Sequence, residues 1–476
     1  MRTVRIVAIL CDDVGVTMIA VENPATEEVL GEIADSGEAG VNQAVAAARA
    51  AFAAGVWARK LPSEKEAILW RIGDLIERDR EDLALLVTLE TGKTLKESRG
   101  SDVGGSADAF RYFAGAVRRI GGRTIAADGP FSVASQREAM GVVGAIVPWN
   151  YPLCLAAWKI APALACGNSV LLKPSELTPF HALKLAELLA EAGVPPGVFQ
   201  VVNGYGHTTG EALARHMDVD KISFTGSTRT GRRLLLASAE SNLKPVSLEL
   251  GGKSANIVFG DADPKAALRG ALWGIFSNQG QICTAGSRLL VQSSLHDEFV
   301  DRLVKRVRGL KMGDPRQDDV VLGSLISKQQ MERVLGYIKT GKAEGANLVC
   351  GGAREGNVGC FVQATVFSGV KNSMRIAQEE IFGPVLSVIR FETEEEALAI
   401  ANGTSYGLAA AVWTSDLKRA NRMASALHAG TVWVNSYNEF DAAVPFGGVK
   451  QSGFGRELGQ EAIEEFTTVK SIWTAQ

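Results

Sequence analysis

Two stretches in the first third of the chain alternate apolar and polar residues with the period of a helix. Residues 41–54 and 64–78 each place apolar side chains on one face and charged side chains on the other. The polar stretch 121–139 that follows is typical of a hairpin projecting from the part of the chain before it. The first third is therefore predicted to be mainly helical, with one projecting hairpin.

From residue 140 the pattern changes to short apolar runs separated by helix-like stretches. The runs are 141–147, 168–172, 199–202 and 221–224, and the helical stretches are 156–164 and 180–192. Strands that alternate with helices predict a parallel α/β sheet, and such sheets bind ligands at the carboxyl ends of their strands. Three unusual loops fall at those ends: 148–150, 173–176 and 225–228.

A second α/β region is predicted between about residues 252 and 451. Its apolar runs are 255–259, 287–291, 385–391 and 431–434, with a helix near 296–308. The tail, about 464–474, alternates enough to predict one edge strand. A chain of 476 residues is too long for one hydrophobic core, so several domains are expected.

Composition and charge exclude several classes of protein. The net charge is −3 and no basic stripe is present, which argues against a nucleic-acid binder. Apolar runs are shorter than the roughly 18 residues of a membrane span. Asp12 and Asp13 end the apolar run 6–11 too early for a signal peptide. The six cysteines form no CxxC pair, which favours reduced thiols in a cytoplasmic protein.

Several generic motifs are absent. The segments 91–94 and 252–254 resemble the end of a phosphate-binding loop, but Val87 and Ser247 stand where its first glycine is needed. The strict GxGxxG fingerprint is absent, as are HExxH and GxSxG. The five histidines are scattered, so no metal site is inferred.

Four long segments carry a family resemblance. They are 148–152 (PWNYP), 246–253 (VSLELGGK), 276–288 (FSNQGQICTAGSR) and 379–384 (EEIFGP). Further matches lie at 172–176, 224–228, 445–448 and 450–453. Together they resemble the signatures of the aldehyde dehydrogenase superfamily, in its hydrolytic NAD(P)-dependent branch. The resemblance covers about residues 21–474, and the first 20 residues do not match the usual opening of the family.

The resemblance implies an α/β fold with three parts. It predicts a Rossmann-like, parallel-sheet NAD-binding domain (1–120 and 140–251) and a second α/β catalytic domain (252–451). The projecting hairpin and the tail (121–139 and 452–476) would form a small β oligomerisation element. A homodimer or homotetramer is expected, with the tail strand pairing with a neighbour's sheet edge.

Three residues are implied to carry the chemistry. Cys283 lies in a small, polar stretch and matches the nucleophile that attacks the aldehyde carbon. The amide of Asn150 and the backbone N–H of Cys283 would form the oxyanion hole. After hydride loss to the nicotinamide, Glu249 would activate the water that hydrolyses the thioester. Taken singly, each residue also has an ordinary structural interpretation. Cys283 fits a packing thiol, Asn150 a turn residue, and Glu249 a solvent-facing strand residue.

The cofactor and substrate contacts are likewise implied by family position. Lys173 and Glu176 match residues that hold the adenosine ribose, and a carboxylate at 176 favours NAD⁺ over NADP⁺. Gly226 and Ser227 would approach the pyrophosphate at a helix start. The remaining predicted cofactor contacts are Trp149, Glu380 and Phe382. The predicted substrate tunnel comprises Tyr151, Leu155, Trp158, Ser277, Ile282, Thr284, Asn438, Phe440 and Phe446.

The tunnel set predicts the class of aldehyde. It is mainly apolar and aromatic and contains no Arg or Lys to clamp a carboxylate, so an apolar or aromatic aldehyde of medium size is expected. Betaine aldehyde or an aminoaldehyde stays open, because aromatic rings attract cations. A coenzyme-A-acylating member of the family is disfavoured by Glu249, and a non-enzymatic member is disfavoured by Cys283, Glu249 and Asn150 together. Esterase activity is expected only as a side reaction, and no nucleic-acid or membrane partner is expected.

Overall fold

The structure, a computed structural model, describes residues 17–476. The expectation about a signal peptide, the apolar run 6–11 and the opening of the predicted first domain lie outside the described residues. Four β-sheets organise the described chain, two of them large and mainly parallel. Among residues 17–476, no helix is long and apolar enough to cross a lipid bilayer.

The first large sheet has six strands in the spatial order β17-β9-β8-β5-β6-β7. The strands are β5 (Val142–Ile146), β6 (Ser169–Lys173), β7 (Phe199–Val201), β8 (Lys221–Thr225), β9 (Val246–Glu249) and β17 (Gly453–Phe454). All are parallel except the edge strand β17, which pairs antiparallel with β9. β5, β6 and β8 are buried along their whole length, as expected for strands covered by helices on both faces.

Helices cover both faces of this sheet, and they pack through the apolar side chains along one side of each helix. They are α1 (Gly37–Ala54), α2 (Pro62–Arg78), α3 (Arg80–Thr91), α4 (Leu95–Glu97), α5 (Gly105–Ala116), α6 (Pro152–Ala165), α7 (Phe180–Ala192), α8 (Glu211–Arg215) and α9 (Thr228–Ala239). A π-helical turn, Ser98–Gly104, links α4 to α5. The predicted helices 41–54 and 64–78 are confirmed as α1 and α2, whereas α3 and α5 were not predicted.

The second large sheet has seven strands in the order β12-β13-β14-β11-β10-β15-β16. They are β10 (Ala255–Val258), β11 (Arg288–Gln292), β12 (Asn347–Cys350), β13 (Thr365–Ser368), β14 (Val385–Phe391), β15 (Ala409–Trp413) and β16 (Thr431–Val434). Its helices are α10 (Pro264–Phe276), α11 (Ser293–Val307), α12 (Lys328–Ala343), α13 (Arg375–Gln378), α14 (Glu394–Asn402) and α15 (Leu417–Ala426). Only β12 runs antiparallel to its neighbour, so the predicted α/β class is confirmed for both regions.

The hairpin and the tail form a separate three-stranded antiparallel sheet. β3 (Arg123–Ile125) pairs with β4 (Phe131–Ala139), and β4 pairs with β18 (Thr467–Ala475) along its full length. The helix α16 (Glu461–Glu465) precedes β18. This sheet uses only 467–475 of the range 452–476, because β17 joins the six-stranded sheet instead. A fourth, two-stranded sheet is formed by β1 (Met18–Glu22) and β2 (Val29–Ala34).

Candidate active site

One cavity of about 420 Å³ brings together most of the residues that the sequence singled out. Cys283 and Glu249 both line it, and so do all nine residues of the predicted substrate tunnel. The walls come from the π-helical turn, α5, α6, the loop before β11 and the segment 438–446. Asn150 does not line the cavity, but its neighbour Tyr151 does.

Cys283 follows a loop whose backbone is unusual. Three consecutive residues, Asn278, Gln279 and Gly280, have positive φ angles of 42°, 54° and 72°. Asparagine and glycine tolerate this left-handed region better than most residues, which lets the loop turn sharply before the cysteine. The Cys283 side chain is half-buried and packs at the edge of the core of the first domain.

The pKa of the Cys283 thiol is raised to about 12, first by burial and then by the carboxylates of Glu380 and Glu249. The thiol is therefore protonated near neutral pH in this structure. A nucleophilic role requires a group that accepts its proton.

Glu249 ends strand β9 and is 4% exposed, so the interpretation as a solvent-facing strand residue is wrong. Neither carboxylate oxygen has a hydrogen-bond partner among the described residues. Burial, and next the negative charge of Glu457, raise the pKa of Glu249 well above its usual range, while Lys159 acts in the opposite direction. A carboxyl group held in this way can accept a proton near neutral pH.

Strand β17 and the loop before it enclose Glu249. Gly453 stands opposite Glu249 in the β17–β9 pair. A Cβ atom on Gly447 would lie 2.7 Å from Glu249 Oε1, so the backbone at 447 approaches the carboxylate as closely as only glycine allows. The carboxylate is thus positioned by segments that are about 200 residues away in the sequence.

A buried polar group that sequence reasoning missed borders Glu249. Lys159 on α6 forms an ion pair with Glu457 and donates a hydrogen bond of 2.7 Å to Thr225 Oγ1. Thr225 and Glu457 line the cavity, and Glu457 Oε2 has no partner among the described residues. No local pattern marks these residues, because Lys159 lies in an otherwise apolar helix and Glu457 lies 298 positions further along.

Asn150 is 3% exposed and its amide nitrogen donates to the carbonyl oxygen of Gln281 at 3.0 Å. The side chain is therefore fixed against the loop that carries Cys283, two residues before the cysteine. A primary amide has two N–H bonds, so one donor remains after this contact.

Four of the predicted cofactor residues lie at the carboxyl ends of β6 and β8, the two strands that flank β5 in the six-stranded sheet. Lys173 ends β6, its ammonium donates to the carbonyl of Pro174 at 2.9 Å, and it lies 3.9 Å from Glu176 Oε2. Ser227 caps the twelve-residue helix α9, accepting a hydrogen bond from the Thr230 amide at 3.2 Å. A Cβ atom on Gly226 would lie 2.4 Å from the Phe224 ring, so any other residue before that helix would have to displace the ring.

The remaining predicted cofactor residues come from both large sheets: Trp149 follows β5 of the first, and Glu380 and Phe382 precede β14 of the second. The rings of Trp149 and Phe382 meet edge to face with their centroids 5.3 Å apart. Glu380 accepts a hydrogen bond from the Gly252 amide at 3.1 Å, and burial raises its pKa to about 7. Together these features fit the binding of a dinucleotide. They are the start of helix α9, the glycine before it, a buried lysine beside a carboxylate, and an aromatic pair.

No group of three or more His, Cys, Asp or Glu side chains within the described range is arranged to hold a metal ion.

The cavity mouth carries two exposed carboxylates that no sequence motif marks, Asp108 and Glu439. Neither forms an ion pair with a described residue. Trp273, Cys154 and the glycines at 100, 104 and 105 are further wall residues that were not predicted.

Comparison with known proteins first defines the class of enzyme. The aldehyde dehydrogenase family model matches residues 12–472. The chain is 48% identical to aldehyde dehydrogenase 1A1 of Gallus gallus over 462 residues, which cover 97% of this chain and 91% of that protein. The chain is therefore an oxidoreductase of the dehydrogenase class.

Solved structures agree with this over the whole fold. A mutant of the P. syringae indole-3-acetaldehyde dehydrogenase AldA, in complex with NAD⁺ and IAA, superposes with a TM-score of 0.95 at 47% identity, covering 96% of this chain and 93% of that one. An aldehyde dehydrogenase from Bacillus cereus in complex with NAD⁺ gives a TM-score of 0.95 at 45% identity, with the same coverage of 96% and 93%. This chain belongs to the aldehyde dehydrogenase family, and it is an NAD(P)-dependent aldehyde dehydrogenase.

Proposed function

We propose that this protein oxidises an apolar or aromatic aldehyde of medium size to its carboxylic acid with NAD⁺, using Cys283, Asn150 and Glu249. The observation that carries the proposal is the shared cavity. It holds one half-buried thiol and one buried, unpartnered carboxylate behind an aromatic wall. These two groups are what covalent aldehyde oxidation followed by hydrolysis requires.

The first step is attack by the Cys283 sulfur on the aldehyde carbon. Since the thiol is protonated at neutral pH, Glu249 takes the proton as the carbon–sulfur bond forms. The carbonyl oxygen becomes an oxyanion, which the free N–H of the Asn150 amide and the backbone N–H of Cys283 stabilise. Asn150 is already oriented by its bond to the Gln281 carbonyl, so little reorganisation is needed.

Lys173, Glu176, Gly226, Ser227, Trp149, Glu380 and Phe382 would hold NAD⁺, and NADP⁺ is the alternative. When bound, NAD⁺ supplies the hydride acceptor for the oxidation. Glu176 lies beside the Lys173 ammonium, where its negative charge would repel a 2′-phosphate, so NAD⁺ is preferred. The P. syringae and B. cereus structures both contain NAD⁺.

Oxidation leaves an acyl group on Cys283 as a thioester. Glu249 first releases to solvent the proton that it took from the thiol, and it then removes a proton from a water molecule as the oxygen of the water attacks the acyl carbon. The carbon–sulfur bond breaks, and the leaving sulfur takes the proton back from Glu249. The products are the free acid and the Cys283 thiol. Coenzyme A is not required, because a buried base is present to activate water.

The aromatic wall supports the proposed substrate class. Trp158 contacts Phe440 and Phe446 with ring centroids 6.1 and 5.6 Å apart, and no Lys or Arg of the described chain lines the cavity. The P. syringae relative is named for an indole aldehyde, which is aromatic. A second candidate is an aldehyde with a cationic end, since Asp108 and Glu439 form no ion pair with a described residue at the mouth.

The test is NADH formation at 340 nm with a panel of aliphatic, aromatic, amino and semialdehyde substrates, with NAD⁺ or NADP⁺, and with or without coenzyme A. The proposal expects turnover without coenzyme A and the highest kcat/KM with an aromatic aldehyde. Cys283→Ala should abolish oxidation while NAD⁺ binding stays near normal. Turnover only with coenzyme A, or above a few per cent in that variant, would reject the mechanism.

We also propose a cytoplasmic homodimer or homotetramer, in which 121–139 and the tail form the contact. Support comes from the three-stranded sheet, where Phe131, Val469 and Trp473 are exposed. The five described cysteines are free thiols, as expected in a reducing compartment. Mass photometry of the full chain and of Trp473→Asp should show loss of the oligomer in the variant. An unchanged mass would place the contact elsewhere.

A further inference from the structure

A second layer of buried polar groups lies behind Asn150. Asn278, which is fully buried, donates from its side-chain amide to the backbone carbonyl of Asn150 at 2.9 Å. The same amide donates to the carbonyl of Gln281 at 3.2 Å. The Gln281 carbonyl is also the acceptor of the Asn150 side chain. Asn278 therefore fixes both the backbone of Asn150 and the oxygen that orients its amide.

Asn278 itself is fixed by a carboxylate from a distant segment. Its backbone amide donates to Glu97 Oε1 at 2.7 Å, across 181 positions of sequence. The residue has a φ of 42° and a ψ of 38°, a left-handed conformation that costs free energy unless neighbouring groups hold it. A charge-assisted bond from a carboxylate is among the stronger contacts that can do so.

Glu97 is in turn held by the turn in which it lies. Thr94 caps this turn, donating from its hydroxyl to Glu97 Oε2 at 3.0 Å and accepting from the Glu97 amide at 3.3 Å. Burial raises the pKa of Glu97, whereas the Asn278 amide and the Lys93 ammonium lower it. Both carboxylate oxygens thus have defined partners, and one of them reaches the loop that precedes Cys283.

The Lys93 ammonium lies beneath this network and lowers the pKa of Glu97, against the larger effect of burial, which raises it. The Lys93 ammonium forms a fully buried ion pair with Asp102 at 2.6 Å and lies 3.8 Å from the centroid of the Tyr151 ring. Tyr151 directly follows Asn150, so the segment 93–102 contacts the Asn150 turn through Tyr151 as well as through Asn278. That segment contributes no side chain to the proposed chemistry.

We propose that Glu97 is a positioning residue for the oxyanion hole, acting through Asn278 on Asn150. The inference rests on the proposed function, since it assumes that Asn150 stabilises the oxyanion. Geometry within a fraction of an ångström decides how well a preorganised donor works, and the loss of one such donor costs about 10²–10³-fold in kcat. Loss of Glu97 leaves the Asn150 amide in place but less well fixed. The fall in kcat should therefore be smaller than the fall caused by removing that donor.

The experiment is a double-mutant cycle with Glu97→Ala, Asn150→Ala and the double variant. kcat and KM for one aldehyde, the Kd of NAD⁺ and Tm are measured for each. Glu97→Ala should lower kcat about 10-fold or more, with both KM and the NAD⁺ Kd within about threefold of wild type. In the Asn150→Ala background the same change should lower kcat by less than about twofold, because its target is gone.

Two further variants keep the result interpretable. Glu97→Gln retains an oxygen that accepts the Asn278 amide, so it should recover kcat to within about threefold of wild type even if Glu97→Ala folds poorly. Lys96→Ala, on the exposed face of the same turn, is the matched control and should leave kcat unchanged.

The inference would be overturned if Glu97→Ala lowered kcat by the same factor with and without Asn150→Ala. A wild-type kcat in Glu97→Ala would overturn it as well. If Asn150→Ala itself keeps full kcat, the proposed oxyanion role fails instead.

Discussion

Lys159 and Glu457 form an ion pair inside the protein wall that borders Glu249, although 298 positions separate them in the sequence. The pair joins helix α6 to the segment before α16, and Thr225 at the end of β8 completes it. Its charges act on Glu249 in opposite directions, since Glu457 raises the pKa of Glu249 and Lys159 lowers it. The ionisation of the proposed base therefore depends on two residues outside the family signatures.

Glu457→Gln should shift the acidic limb of the kcat–pH profile to lower pH. The neutral amide removes a negative charge that raises the pKa of Glu249 and leaves the Lys159 cation, which lowers it. The pKa of Glu249 falls, so the base stays ionised at lower pH and activity persists there. Steady-state rates between about pH 5 and pH 9 measure the limb. Glu461→Gln, which changes an exposed acid in α16, is the control. A shift of the acidic limb to higher pH in Glu457→Gln would contradict this account.

Alkylation of Cys283 in the ligand-free protein should accelerate with pH without levelling off near about pH 8.5, the ordinary pKa of a thiol. The pKa of this thiol is raised to about 12 by burial and by the carboxylates of Glu380 and Glu249. Below that value the thiolate fraction rises about tenfold for each pH unit, and only the thiolate reacts. Inactivation by iodoacetamide between about pH 7 and pH 10 measures the rate, with Cys283→Ser to count labelling elsewhere. A plateau near about pH 8 would show an ordinary or activated thiol instead.

Glu249→Gln should separate oxidation from hydrolysis. An amide cannot take a proton from water, so the thioester on Cys283 accumulates and the steady state slows by about 10²-fold or more. The first turnover remains visible when alkaline pH supplies the thiolate directly. Stopped-flow absorbance at 340 nm should then show a burst of NADH close to one per active site. Loss of the burst together with turnover would show that the first step also fails without Glu249 at that pH, which contradicts the separation of the two steps.

Ser277→Phe should narrow the cavity for large substrates. Ser277 is 6% exposed, lines the cavity and donates to the Trp273 carbonyl at 2.5 Å. A phenyl ring at this position takes space beside Trp273, and overpacking costs about 1–3 kcal/mol. The kcat/KM for an aromatic aldehyde should fall about 10- to 100-fold, while acetaldehyde stays within about threefold. Equal losses for both substrates would indicate a disturbed fold, which Tm would reveal.

The sequence predicted the α/β class, two regions of alternating strands and helices, and the candidate site residues that lie in contiguous motifs. Cys283, Glu249 and Asn150 belong to such motifs, and the predicted tunnel residues meet in one cavity. Lys159, Glu457 and Glu97 could not be found in this way. Their roles arise from contacts across 181 to 298 positions, and a single Lys or Glu in an ordinary helix or loop carries no local signal. The left-handed backbone at Asn278 and Gln279 is likewise invisible in residue type alone.

The pairing of β17 with β9 sets the order in which the enzyme can become complete during synthesis. Strand β9 ends at Glu249, but its antiparallel neighbour is residues 453–454. A chain emerging from the ribosome folds its earlier parts first. The edge strand of the six-stranded sheet therefore cannot pair with β9, beside the proposed base, until the whole second region of about 200 residues has been synthesised. Nearly the whole protein must be translated before the first turnover, and a nascent chain that stalls short of residue 453 carries Cys283, the proposed nucleophile, without the strand that pairs beside Glu249, the proposed base.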